Sequence, residues 1–189
     1  MTYEIIQPPF ELSFRGRSEK DLVAYREWFH AVMPARTAEL RKAVKGTRGF
    51  ESWEPYLTPD PLGPLGEWFR GQVHTRKQTD EEMREMRTRL TLPIDVSDEE
   101  LTTRTFSLAM DIGMYFGQVI VKTLPGTRWG QPVKNPNFAD YGQPVIMGFG
   151  TVPLNPVRIA VTIGYAFAAN ERSGAELRAT YDVWTKKRR

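Results

Sequence analysis

Apolar positions recur at helical spacing through much of the first half of the chain. After Gly16, the residues Leu22, Tyr25, Phe29 and Val32 fall three or four apart, and Trp28 widens the stripe. Ser18, with Asp21 three residues on, is a capping pair that opens a helix at this point. Pro34 predicts a kink or an end to it, because proline lacks an amide donor and crowds the preceding turn. Leu40 and Val44 carry the pattern over 38–44, with Arg36, Glu39 and Arg41 expected to face outward and Gly46 to stop the helix. Upstream, Phe10, Leu12 and Phe14 alternate with Glu11, Ser13 and Arg15, as a half-buried strand would.

The passage from Gly49 to Phe69 mixes turn formers with Phe50, Trp53, Tyr56, Leu57, Leu62, Leu65, Trp68 and Phe69. Each buried aromatic hides on the order of 150–250 Å², so this stretch is expected to pack and not to act as a linker. Thr58-Pro59 reads as a cap followed by a first-turn proline, opening a short helix to about Gly71. Residues 75–100 are the most polar part, an exposed helix or a mobile connection, and Asp80-Glu81-Glu82 fit a solvated helix start. Ser97 and Glu100 form a second capping pair, and the helix they predict runs to about Thr123. Three strand-like pieces follow, at 128–134, 143–149 and 152–154. Asn155-Pro156 predicts a helix over 157–169, although the alternation and β-branching there would also suit a strand. The stretch 174–187 is amphipathic through Leu177, Tyr181 and Trp184. The fold class expected is α+β, with helices packed on one face of a small antiparallel sheet built mostly from 127–154. The chain reads as a single domain, 1–189: a helical half (about 1–74), a polar connection (75–96) and a helix-plus-sheet half (97–189).

Composition narrows the chemistry. The 189 residues are 40% hydrophobic, 12% aromatic and 26% charged, a globular balance. No apolar run approaches the roughly 20 residues of a membrane helix, and Met1-Thr2-Tyr3-Glu4 does not begin a secretion signal, so a cytoplasmic protein without membrane contact is expected. The absence of cysteine excludes disulfides, thiolate metal sites and cysteine nucleophiles. His30 and His74, the only histidines, leave little for a histidine-based zinc site; a mixed carboxylate site stays formally possible, but no metal and no cofactor are expected. The net charge is +3, from 26 Lys and Arg against 23 Asp and Glu; taking away the four terminal cations, Lys186 to Arg189, leaves 22 against 23. The near-neutral body argues against a nucleic-acid partner. The tail fits a solvated helix end or a weak anion tether.

Asp111-Ile112-Gly113-Met114-Tyr115-Phe116-Gly117 is the most distinctive stretch. Gly113 and Gly117 share one helix face, and each costs roughly 1 kcal/mol against alanine, which points to close approach of a crossing helix or a following strand. Asp111 and Tyr115 share another face, where a carboxylate and a phenol could meet a ligand; alternatively Asp111 pairs with an arginine such as Arg128 or Arg104. Arg128 and Trp129 suit an acidic partner group set against an apolar wall, or else a salt bridge and a core indole. Asn155 is a recognition amide or a helix cap. No Ser-His-Asp arrangement, P-loop or dinucleotide fingerprint is present, so no catalytic residue is assigned.

Several pieces in order carry a family resemblance: Tyr25, Trp28-Phe29, Leu65-Gly66-Glu67-Trp68-Phe69, Asp111 to Gly117, Trp129-Gly130, Gln143-Pro144-Val145 and Leu154-Asn155-Pro156. The pattern resembles a family of small uncharacterised bacterial cytoplasmic proteins over about 10–165. The stretch from Asp111 to Trp129 is also similar to pieces of immunity-type proteins encoded beside bacterial toxins. These likenesses, with the missing catalytic motifs, imply a non-enzymatic protein-binding module such as a toxin-neutralising immunity protein, contacting its partner through 75–100 and 135–142. The alternative is a small-molecule binder or an enzyme without a common motif, using a pocket around Asp111, Tyr115, Arg128 and Trp129. A self-associating scaffold is a third reading, and oligomeric state stays open.

Overall fold

The structure, a computed structural model, describes residues 3–89 and 97–186. The expectations for 90–96 and for the basic tail beyond Lys186 lie outside the described residues. The elements run α1 (Glu19–Lys45), α2 (Leu62–Arg70), β1 (Thr75–Lys77), α3 (Asp80–Arg89), β2 (Glu99–Leu101), α4 (Thr103–Thr123), β3 (Arg128–Gly130), β4 (Val145–Met147), α5 (Pro156–Ala168) and α6 (Glu176–Lys186). About half of this mixed α and β chain is helical. The strands form two separate antiparallel ribbons, β1 with β2 and β3 with β4, and not one sheet. Leu154 extends the second ribbon by bridging to Ile146. No helix among the described residues is long and apolar enough to cross a membrane.

α4 is the centre of the packing. From Thr105 to Ile120 nearly every side chain is buried, as expected of a helix that is apolar all round. It packs against α5 on one side and α1 on the other, while α2 lies against α6. The larger core cluster joins α4 to Trp53, α2, α5 and α6. The smaller one joins Met110 and Met114 of α4 to Tyr25 and Phe29 of α1 and to Ile6 and Phe14.

Several local expectations are corrected. The first helix does not end at Pro34 but runs unbroken from Ser18, whose capping pair with Asp21 is present, to Gly46. Pro34 is exposed and leaves the His30 carbonyl without its usual helical donor. Arg36 does not face outward: it is buried, in register with Phe29, Met33 and Leu40. Residues 10–15 pair with no strand; Phe14 is buried and Leu12 exposed, so the alternation does not define one face. Thr58 does not cap α2, which starts after Pro61 without a side-chain cap. Ser97 and Glu100 do not open α4, because Glu99–Leu101 pairs with Thr75–Lys77. The cap is Thr102, whose hydroxyl accepts from the Thr105 amide. Asn155-Pro156 does open a helix, with the Asn155 carboxamide oxygen accepting from the Arg158 amide at 3.0 Å.

Candidate functional site

The two glycines of α4 are covered as their spacing implied. A Cβ on Gly113 would lie 2.6 Å from Val157 Cα and 2.9 Å from the Pro156 carbonyl oxygen, so the first turn of α5 rests directly on the α4 backbone. A Cβ on Gly117 would lie 2.5 Å from Trp129 Cζ2 and 3.2 Å from Pro156 Cγ. One glycine thus admits a crossing helix and the other admits the indole.

Asp111 is fully buried. Its partner is Arg36 of α1, and neither Arg128 nor Arg104. Arg36 Nε donates to Oδ1 at 2.8 Å and Nη2 to Oδ2 at 2.8 Å, a bidentate fork. The Tyr3 hydroxyl donates to Oδ2 at 2.5 Å. That uses the phenol's single proton, so the Ser107 hydroxyl, 2.8 Å away, donates to Tyr3 and in turn accepts from the Ile6 amide. Arg36 Nη2 also reaches the Glu4 carbonyl at 2.8 Å. Burial pushes the Asp111 carboxyl above the usual carboxylate range, against the hydrogen bonds from Arg36 and Tyr3. Burial alone would lower Arg36, but its contacts with Asp111 outweigh this and raise it. Every Asp111 contact found is internal, and the network pins the segment around Tyr3–Ile6 onto α1 and α4.

Tyr115 is also fully buried; its hydroxyl donates to the Tyr56 carbonyl at 2.6 Å, its ring meets Trp53 edge-on, and burial raises its pKa. Trp129 is half-buried and packs edge-on against Phe29 and His30. Asn155 is buried, and besides capping α5 it donates to Asp140 Oδ1 and Gln143 Oε1, both at 2.8 Å. Arg128 alone of the five is exposed. The structure therefore does not gather Asp111, Tyr115, Arg128 and Trp129 into one open pocket. Sequence reasoning missed Arg36 and Tyr3, although the 29–33–36–40 spacing places Arg36 on the apolar stripe.

Strand alternation sends Trp129 inward and Arg128 outward. Arg128 then lines an open groove of about 540 Å³ with Val133, Lys134, Phe138, Met147 and Pro153. No carboxylate lines it, and neither cation forms an ion pair among the described residues. Val133 is 43% exposed and the adjoining Val152 60%, so apolar surface and uncompensated positive charge occur together. The 135–142 loop contributes to this groove, and none of the described residues of 75–100 does.

No group of three or more His, Asp or Glu among the described residues is placed to hold a metal ion. Every buried side-chain polar atom among them has a hydrogen-bond partner. Comparison with protein-family models, with curated proteins and with solved structures finds no match to this chain.

Proposed function

We propose that this protein is a binding module for an acidic, apolar-bearing segment of a partner protein, received in the groove beside β3 and β4. The observation that carries this reading is that Arg128 and Lys134, both without a carboxylate partner among the described residues, lie beside exposed Val133 and Val152. Apolar surface beside unpaired cations favours a partner offering acidic side chains around a hydrophobic anchor. On this reading the module acts by occlusion, as a stoichiometric neutraliser of a toxic protein, the role that the likeness around Asp111 to Trp129 suggests.

The test is a random peptide display selected on the wild-type chain and counter-selected on R128E/K134E. Peptides rich in Asp or Glu around a large apolar residue, losing at least tenfold in affinity on the double variant, are expected. No enrichment, or enriched peptides indifferent to the charge reversal, overturns the reading. The neutralising role is checked separately, by growth rescue when the chain is co-expressed with the toxic product of an adjacent gene.

A further inference from the structure

A second cleft, sharing no residue with the groove, lies where the end of α1, the turn after α2 and the first turn of α4 meet residue Tyr3. It encloses about 370 Å³, within the range of small-ligand sites, and Glu39, Lys42, Thr47, Gln72 and Arg104 are among its walls. Two guanidinium groups approach the Tyr3 ring, Arg36 at 5.4 Å and Arg104 at 5.7 Å from its centroid. Arg36 is neutralised by Asp111. Arg104 has no carboxylate partner among the described residues; its Nη2 donates to Gln72 Oε1 at 3.1 Å. The Gln72 amide nitrogen, whose oxygen is engaged this way, is left with no protein acceptor among the described residues. Lys42 faces the same cleft, 3.4 Å from Glu39, whose other oxygen accepts from the Glu4 amide. Among the described residues the walls thus carry two cations against one carboxylate. The carbonyls at the end of α1 that would repel an anion are partly covered, since the Gly46 amide donates to those of Lys42 and Val44.

From this arrangement we infer that the cleft is a binding site for a small oxyanion, a carboxylate or phosphate carried by a metabolite. Arg104 supplies the fork that matches such a group, Gln72 a neutral donor beside it, and Lys42 a second positive charge. Because the same cleft is walled by Tyr3, an occupant also fastens the N-terminal segment.

Isothermal titration with inorganic phosphate and, separately, with sodium acetate tests this, together with two-dimensional NMR of the side-chain N–H groups of Arg104 and Gln72. Saturable one-to-one binding is expected, with both side-chain resonances moving. R104Q should weaken it at least tenfold, R104K less, and K20Q, at the exposed start of α1 and outside both clefts, should leave it unchanged. Tighter phosphate than acetate binding assigns a phosphate ester, and the reverse assigns a carboxylate. Should R104Q fail to fold, Q72A reports instead, with a loss of about threefold or more. Absence of saturable binding by either anion, or binding that R104Q and Q72A leave intact, overturns the inference without touching the peptide groove.

Discussion

Replacing Gly113 with alanine tests whether α5 truly rests on the α4 backbone. The added carbon would lie 2.6 Å from Val157 Cα and 2.8 Å from its nitrogen. Carbon–carbon contacts settle at about 3.5–4.0 Å, so the first turn of α5 must retreat by roughly 1 Å. That retreat also loosens Pro156 from Gly117 and disturbs the seat of Trp129. Overpacking of this kind costs about 1–3 kcal/mol, and a wall of backbone, which cannot rotate away, puts the cost at the upper end. Alanine's better helix propensity offsets about 1 kcal/mol. The expected net loss is about 2 kcal/mol, or roughly 4–8 °C in Tm for a chain of this size. Urea denaturation followed by circular dichroism measures it as a fall in the midpoint at unchanged slope. Gly63 of α2 is the internal control: its substituent would meet nothing within 4 Å, so G63A should stabilise by about 0.4–1 kcal/mol. A midpoint for G113A at or above wild type, or the same sign for both variants, refutes the reasoning.

Two further outcomes follow from charges. D111N strands the buried Arg36 guanidinium and should cost about 3–5 kcal/mol, whereas R36M/D111N should cost clearly less than the two single changes together; additivity in that double-mutant cycle would show that the fork is not a coupled unit. Glu54 accepts from Arg41 and also from Lys45, and these hydrogen bonds hold its pKa down from an ordinary 4.5 to about 2. A carboxyl depressed in the folded state stabilises above its unfolded pKa and loses that contribution as pH falls through the folded value. The urea midpoint of wild type should therefore drop between about pH 4.5 and 2 more steeply than that of E54Q, and identical acid limbs would count against the pairing.

Where the sequence was a good guide, the signal was local. The four-residue spacing of Gly113 and Gly117 implied a close neighbour, and Asn155-Pro156 spelled out a helix start with its own side chain as cap. Ser97 failed as a cap for a non-local reason: residues 99–101 pair with Thr75–Lys77, which strand patterning cannot show in so polar a segment, and the next suitable hydroxyl, Thr102, takes the role. The partner of Asp111 was hidden because Arg36 lies 75 positions away, and its charge masked a register that spacing alone would have read as buried. The groove was legible only in part, since Arg128 was named but Lys134, Val133 and Met147 come together through the ribbon and the loop after it.

The clasp between Tyr3, Arg36 and Asp111 also dictates an order of events during synthesis. A ribosome releases Tyr3 and Arg36 long before it has made Asp111, 108 and 75 positions further on. Until then the guanidinium has no counter-charge worth burying, and its helix has no reason to stay docked. α4 in turn waits for Pro156 and Val157 to close over Gly113. Packing of Tyr3 and Arg36 therefore waits on residues far along the chain, a long-range pairing that is slow to form compared with the local turns of the helices.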